Sequence, residues 1–563
     1  MPPPPPRMRK LRSSSGRPSD PENQTTNRKK TAREVPFRQV GTLRFASSKR
    51  MPARWVRVDL NPRTNREGML KTISELDDAS LEALKPEFDP SLSLDDIQSR
   101  LKALVSSAPA EGSKDDKVIA NMLELASTAA LRSLVAGEGS IWNLPPPSAL
   151  ISVTGGAGSL LMTDKQKLVF RRSLLSAAKI TNAWIMTGGT NAGVMNMVGR
   201  MLQESSVEVP CIGVAAWGIV AEKEKMEKLD NGRVHDYGGT TELGKKTPKE
   251  QHRVALDPNH THFVLVDNGR EGEAAFGSEI DLRSALETCI CTSSFGKDED
   301  NNPLPCPPMV LLVVGGGPNT LDTVKATLNQ SRPVVVFVDS GGAAKHMRDW
   351  YDNTDLQTKK APGAKTNEQL IASFKLTLPM PNNWTETSYM ETLIEIDNLG
   401  RQKRGAMKMP QLTFFSTSDD VSSGNDLDMR ILTSLLSDIE TTMNGVKLAV
   451  SWGEPAIIRT QLDESKEHDK KGLAEVFERA LKSNNAAVVE ALIQYNAQVG
   501  LYKILFCFWA CVHESILLFA HPPFVSATHL PRHRPHYLHN PMCSPDPPLL
   551  HCIPHNIDHG NIV

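Results

Sequence analysis

The stretch that decides the fold is residues 309–340, MVLLVVGGGPNTLDTVKATLNQSRPVVVFVDS. It opens with a continuous apolar run, 309–314, whose β-branched character predicts a strand buried on both faces of a parallel sheet. The run stops at the glycines 315–317, and from Thr320 onward apolar residues recur with the spacing of one helical stripe. Residues 333–338 form the next apolar run. The stretch therefore predicts a βαβ unit with a Gly-rich turn after its first strand.

Glycines at such a junction let a ligand approach the main-chain N–H groups at a helix N-terminus, where phosphate is favoured. The alternative is a tight turn with no ligand. Two further apolar runs end in similar turns, TGGAG at 154–158 and TGGTNAG at 187–193. Ligands of open α/β sheets bind beyond the carboxyl ends of the strands, where these three turns are expected to gather. None of the turns fits the dinucleotide signature G-x-G-x-x-G or the P-loop signature.

The composition excludes several classes of protein. The chain has 563 residues, enough for about two or three domains. Its net charge of −1 gives no overall attraction to nucleic acid, and no N-terminal stretch resembles a secretory signal. The eight cysteines show no C-x₂-C spacing, which predicts a reduced, intracellular compartment and no metal site.

Changes in composition and periodicity divide the chain into segments. Their predicted natures are a disordered basic, Pro-rich arm (1–50), a strand with a helical insert (51–148), an α/β domain (149–345), a mixed connector (346–425), helical repeats (426–500) and an apolar, then His/Pro-rich tail (501–563). The apolar part of the tail, 501–520, has the length of a membrane span, but Lys503, His513 and Glu514 make it a poor one.

Arg283 is a candidate binding residue, because it falls on the first turns of a helix predicted to begin at Glu279. A guanidinium group there could form a fork for phosphate or carboxylate. The alternative is an ordinary, exposed helix arginine.

Three longer motifs carry a family resemblance: TGGTNAGVMNMVGRML from 187, HFVLVDNGREGEAAFGSEIDLRSALE from 262 and LLVVGGGPNTLDTVKATLNQSRPVVVFVDSGG from 311. Over roughly residues 50–500 the chain resembles the N-terminal cytosolic homology region of melastatin-type transient receptor potential (TRPM) cation channels. The resemblance implies a SLOG domain, a Rossmann-like α/β fold with a doubly wound parallel sheet, followed by all-α, ankyrin-like repeats beneath a tetrameric channel.

In one branch of that family the SLOG cleft binds ADP-ribose, which implies a ligand site here. The matching positions in this chain are Thr187, Gly188, Gly189, Gly193, Val194, Gly316, Gly317 and Thr320, with Arg283 for phosphate. Two positions depart from that branch. Phe276 replaces an aromatic residue that carries a hydroxyl group, and Gly342 replaces a second arginine, so each departure removes a polar contact to a diphosphate.

SLOG domains also resemble nucleoside 5′-monophosphate phosphoribohydrolases of the LOG type, whose signature is P-G-G-x-G-T-x-x-E. The corresponding run here is 315–323, in which Asn319 could keep the loop by adopting a left-handed conformation. Thr323 replaces the carboxylate, and the neighbouring Asp322 would point about 100° away on the helix. We therefore expect a region that is not an enzyme.

The sequence predicts a regulatory, ligand-sensing and assembly region of a TRPM-like, calcium-permeable cation channel, truncated before the pore. The expected ligand is ADP-ribose or a related nucleotide diphosphate, and the expected partners are other TRPM-like subunits. No cofactor is required, and no nucleic acid is expected. The region is expected at the cytosolic face of the plasma membrane, or in the cytoplasm when alone. The alternatives are a free-standing nucleotide-binding or dominant-negative subunit and a LOG-type hydrolase.

Overall fold

A computed structural model describes most of the chain between residues 37 and 494. The residues that it leaves undescribed within these limits are 49, 61–68, 71–72, 75, 77, 90, 108–112, 116, 120, 124, 126–141, 159, 206–207, 239–252, 296–300, 302–304, 378–383, 405–407, 419–425, 440–441, 464–469 and 483. The predictions for the tail 501–563, including the apolar stretch 501–520, lie outside the described residues.

A ten-stranded sheet lies at the centre of the fold. Its strands are β1 (Phe37–Phe45), β2 (Ala53–Asp59), β3 (Ala149–Gly155), β4 (Ala183–Thr187), β5 (Cys211–Ala216), β6 (Val234–Tyr237), β7 (His262–Asp267), β8 (Met309–Val314), β9 (Val334–Phe337) and β12 (Leu412–Phe415). Two short strands, β10 (Lys403–Arg404) and β11 (Met409–Pro410), pair with each other. In the large sheet β1 and β2 are antiparallel and the other neighbours are parallel.

The strand order, β12-β9-β8-β3-β4-β5-β7-β2-β1-β6, explains where a ligand can bind. From β3 the chain moves to one side through β4 and β5, and it later returns to the other side of β3 with β8 and β9. The connections that leave β3 and β8 therefore diverge, and the sheet has its topological switch point between these two strands. Open α/β sheets bind ligands at such a crevice.

Helices cover both faces of the sheet. The helices before residue 426 are α1 (Asp78–Leu84), α2 (Leu94–Ser107), α3 (Asp164–Ile180), α4 (Gly193–Glu204), α5 (Lys223–Glu227), α6 (Ile280–Cys291), α7 (Pro318–Asn329), α8 (Gly342–Thr358), α9 (Asn367–Lys375) and α10 (Glu386–Gly400). The helices after residue 426 are α11 (Leu427–Ser437), α12 (Thr442–Trp452), α13 (Pro455–Asp463), α14 (Lys470–Lys482) and α15 (Ala486–Ile493).

The two-residue period of β8 divides its side chains between two cores. Val310, Leu312 and Val314 belong to the core with α3, α4 and the helices after 426, whereas Leu311 and Val313 belong to the core with α6, α7 and α8–α10. All five side chains are fully buried, and burial of one such side chain contributes about 1.5–3 kcal/mol. The predicted Rossmann-like α/β fold with a mostly parallel sheet is confirmed.

The predicted segment boundaries need three corrections. The predicted disordered arm 1–50 contains β1, which pairs with β2 and β6. The predicted connector 346–425 is part of the α/β unit, because α9 and α10 cover one core and β12 pairs with β9. In the predicted helical region 426–500, the described helices α11–α15 share their core with the sheet rather than forming a separate one.

A partly buried polar contact also joins the helical region to the sheet. Asp438, just after α11, accepts hydrogen bonds from the main-chain N–H of Met309 at 3.0 Å and from Nη1 of Arg332 at 3.1 Å. In the part of the chain that the structure describes, no helix is both long and apolar enough to span a membrane.

Candidate functional site

The turns after β3 and β8 lie side by side at the switch point. The main-chain N–H of Gly156 donates to the carbonyl of Val314 at 3.1 Å. A Cβ atom added to Gly156 would lie 3.2 Å from the main-chain nitrogen of Gly316, and one added to Gly155 would clash with Val314. Larger residues would therefore force the two turns apart, which is why both are rich in glycine.

The turn after β8 leads directly into the N-terminus of α7. Gly315 and Gly316 have φ values of +66° and +94°, so the left-handed positions fall on glycines. Asn319 lies in the first turn of α7, and the expectation that it would adopt a left-handed conformation is wrong. The N–H of Gly317 donates to Oγ1 of Thr320 at 3.2 Å, which caps the helix.

Gly317 differs from Gly315 and Gly316 in its backbone conformation and in the space around it. Its φ of −118° suits any residue, and a Cβ atom added there would have no atom within 4 Å. Neither backbone strain nor packing requires a glycine at this position. The main chain at Gly317 is therefore open on the side on which a Cβ atom would lie.

The turn after β4 supports the site rather than lining it with side chains. Thr187 is fully buried, and its Oγ1 contacts Nε2 of His260 at 2.7 Å and accepts from the N–H of Gly189 at 2.9 Å. Gly189 has a φ of +70°, and a Cβ atom there would lie 2.8 Å from Cα of Gly213 in β5. The atoms nearest to a Cβ atom on Gly188 would be those of the Met195 side chain, at 3.7–3.9 Å.

Gly193 and Val194 connect this turn to the one after β3. A Cβ atom on Gly193 would clash with the carbonyl of Gly156, and its φ is +49°. The N–H of Val194 donates to the same carbonyl at 3.0 Å, and its side chain is buried in the core. Val194 therefore has a packing role, and the N-terminus of α4 already has a main-chain acceptor.

Arg283 is buried, so the alternative of an ordinary, exposed helix arginine is wrong. It is 6% exposed, and its Nε donates to Oε1 of Glu287 at 2.9 Å. Its Nη2 donates to Oγ of Ser152 at 2.6 Å and to the carbonyl of Val153 at 3.1 Å. Ser152 also donates to Glu287. The guanidinium group thus fixes α6 to β3 beside the crevice, and a buried carboxylate balances its charge.

Both the backbone conformation and the surroundings of Gly342 require a glycine. Its φ is +55°, and a Cβ atom there would lie 2.5 Å from the carbonyl oxygen of Gly316. The N–H groups of Ala343 and Ala344 donate to the carbonyls of Gly316 and Gly315 at 3.0 and 3.1 Å. An arginine at 342 would require a different backbone, and the N-terminus of α8 holds the turn after β8 in place.

The turn 276–279, just before α6, forms another wall near α7. The ring of Phe276 is exposed, and a Cβ atom on Gly277 would lie 3.7 Å from Nδ2 of Asn319. Oγ of Ser278 and Oε2 of Glu279 are buried and have no hydrogen-bond partner among the described residues. Burial raises the pKa of Glu279, although its own N–H, the charge of Arg283 and the N–H of Gly277 oppose the shift.

One buried cluster had no signal in the sequence. Nδ1 of His260 contacts Oδ1 of Asp257 at 3.0 Å, and Nε2 contacts Thr187, in an order that resembles a catalytic triad. Burial lowers the pKa of His260, but Cys211 and Asp257 outweigh it and raise the pKa to about 10. Asp257, Thr187 and the His260 ring have no exposed surface, so the cluster holds the loop before β7 against the turn after β4.

Among the residues that the structure describes, no group of three or more His, Cys, Asp or Glu side chains could hold a metal ion.

Comparison with known proteins agrees with this architecture. The family described as "SLOG in TRPM" matches residues 121–395. The transient receptor potential cation channel subfamily M member-like 2 of Nematostella vectensis is 31% identical over 366 residues, which cover 63% of this chain and 22% of that protein. Subfamily M member 2 of Mus musculus is 32% identical over 340 residues, covering 57% of this chain and 21% of that protein.

Subfamily M member 1 of Mus musculus is 31% identical over 327 residues, covering 57% of this chain and 18% of that protein. The chain thus spans about a fifth of the length of these relatives. The family match covers the strands β3–β5 and β7–β9, on which the crevice is built. The chain therefore carries an N-terminal homology region of the TRPM family, with a SLOG domain at its centre.

Proposed function

We propose that this chain is a non-catalytic, ligand-sensing and assembly region of a TRPM-like cation channel. In this proposal the crevice between β3 and β8 binds ADP-ribose or a related nucleotide diphosphate. The chain acts at the cytosolic face of a membrane and associates with other TRPM-like subunits. The names of its relatives, which are cation channels, support the channel context.

The observation that carries the proposal is the meeting of two Gly-rich turns at the topological switch point, with Gly317 free of any local requirement for glycine. A diphosphate would lie against the main chain at Gly316 and Gly317, where the N-terminus of α7 favours negative charge. Thr320 shapes this turn, and Arg283 holds β3 and α6 in place beside it. Phe276 offers an exposed ring for a base or a sugar face.

The way in which the crevice is assembled supports a sensing role. Its turns contact one another through main-chain hydrogen bonds from Val194 and Ala343, each at 3.0 Å. A ligand that separates or tightens these turns would shift α4 and α8 relative to each other. It would bias a channel only to the extent that it binds one arrangement more tightly than the other.

Hydrolysis has weaker support than binding. Thr323, which replaces the catalytic carboxylate of the phosphoribohydrolase signature, is 8% exposed, and its Oγ1 lies 3.4 Å from the carbonyl of Asn319. Burial raises the pKa of Asp322, but this side chain points about 100° away from Thr323 around the helix axis. A hydroxyl with no base nearby does not supply acid/base catalysis.

Isothermal titration calorimetry of the full chain with ADP-ribose tests the proposal. We expect binding by the wild type and at least about tenfold weaker binding by Gly317→Ala, because the added methyl group fits the fold but blocks approach to the backbone. Ser99→Thr adds a methyl group on the exposed face of α2 and serves as the matched control. Absence of binding by the wild type, or equal affinities of wild type and Gly317→Ala, would refute the proposed site.

A further inference from the structure

A side chain occupies the turn position at which the phosphoribohydrolase signature has glycine. Asn319 lies in the first turn of α7, directly after the glycines 315–317, and it is partly exposed. Because its backbone is helical, the carboxamide is not needed for the shape of the turn. Its role must therefore come from what the side chain contacts.

Trp384 fixes the orientation of that carboxamide. Nε1 of Trp384 donates a hydrogen bond to Oδ1 of Asn319 at 3.1 Å. An indole N–H can only donate, so the oxygen of the carboxamide must face Trp384 and the NH₂ group must face away from it. The nitrogen Nδ2 lies beside Gly277, at 3.7 Å from the position that a Cβ atom would have there. Its two donors are thus held beside the turn 276–279, at the first turn of α7.

The helices on this face of the sheet hold Trp384 itself. Its ring packs edge to face against Tyr389 of α10, with 5.9 Å between the ring centroids. The hydroxyl of Tyr389 contacts Nδ1 of His346 in α8 at 2.9 Å, and the His346 ring stacks on Phe374 of α9 at 4.0 Å. Trp384 is therefore part of a packed aromatic group, and it can hold Asn319 without much loss of side-chain entropy.

We propose that Asn319 is a ligand-binding residue of the crevice and that Trp384 is its positioning residue. Nδ2 of Asn319 donates to a phosphate oxygen of the nucleotide diphosphate, next to the main chain at Gly316 and Gly317. This inference rests on the proposed function and deepens it. Through Trp384, which packs on Tyr389 of α10, it also links the helices α8–α10 to a residue that would touch the ligand.

The test uses isothermal titration calorimetry of the full chain with ADP-ribose. Asn319→Gly restores the glycine of the signature and removes the donor, and we expect about tenfold weaker binding, as for loss of a hydrogen bond to a charged group. Trp384→Phe keeps the packed ring but loses the N–H, and we expect about threefold weaker binding because the carboxamide can rotate. When both changes are combined, affinity should equal that of Asn319→Gly alone, since Trp384 acts only through Asn319.

Three outcomes would overturn the inference. If Asn319→Gly binds as tightly as the wild type or more tightly, the side chain makes no favourable contact. If Trp384→Phe weakens binding by the same factor with and without Asn319, its role is structural and independent of Asn319. If the wild type does not bind ADP-ribose at all, the proposed function fails together with this inference. The first two results leave the proposed function intact.

Discussion

Replacing Arg283 should lower the free energy of unfolding of the protein rather than only weaken the binding of a ligand. Arg283→Ala leaves the carboxylate of Glu287 buried without its ion pair and removes the bonds to Ser152 and Val153. Removing one partner of a buried pair costs about 3–5 kcal/mol, because the remaining charge is uncompensated. We expect a loss of this size in the free energy of unfolding, measured by urea denaturation with tryptophan fluorescence.

Two comparisons make that prediction specific. Lys482→Ala removes an exposed pair with Glu478 at the same i, i+4 spacing, and it should cost less than about 0.5 kcal/mol. Arg283→Leu combined with Glu287→Leu removes both charges and should recover at least half of the loss seen in Arg283→Ala. If the stability of Arg283→Ala lies within about 0.5 kcal/mol of the wild type, the buried network is not what holds α6 to β3.

Three other perturbations test the fold around the site. Gly193→Ala should cost several kcal/mol in thermal or urea unfolding because of its positive φ and the clash behind it, whereas Gly158→Ala, with no atom within 4 Å, should be nearly neutral; equal effects would contradict the packing described. Tyr237→Phe should cost about 1–2 kcal/mol, because its hydroxyl accepts the buried N–H of Leu256 at 3.1 Å; an unchanged urea midpoint would argue against that bond. Burial lowers the pKa of His346 to about 4, whereas in the unfolded chain it is about 6.5. Between these two pH values the unfolded chain binds more protons, so lowering the pH should reduce the free energy of unfolding of the wild type by about 3 kcal/mol more than that of His346→Phe. Parallel profiles of stability against pH for the two proteins would refute this.

The part of the fold that could be predicted from the sequence is the part with local signals. Apolar runs such as Met309–Val314, each followed by a Gly-rich turn and a helical stripe, indicate βαβ units without further information. The convergence of the turns then follows from the parallel sheet. For β1 and β12 no local signal sufficed, because each becomes a strand through pairing with a segment distant in sequence, β2 and β9 respectively.

In the candidate site, too, the sequence predicts the residues that have local signals but not those whose surroundings depend on distant parts of the chain. The positions of Gly316, Gly317 and Thr320 at the helix N-terminus were predictable from spacing. The environment of Arg283 was not, since Ser152 lies on a strand more than a hundred residues earlier in the chain. A matching motif does not show what each of its residues does. The main-chain N–H of Val194 bonds to the turn after β3, while its side chain belongs to the core.

Hydrogen exchange of the full chain, measured by mass spectrometry with and without ADP-ribose, tests the central claim most directly. The account predicts slower exchange of main-chain N–H groups in residues 154–158 and 315–320, where the ligand would lie against the turns. Residues 94–107, in the helical insert, should exchange at the same rate in both samples. Unchanged exchange in both turns, or protection confined to other segments, would contradict a ligand site at the switch point between β3 and β8.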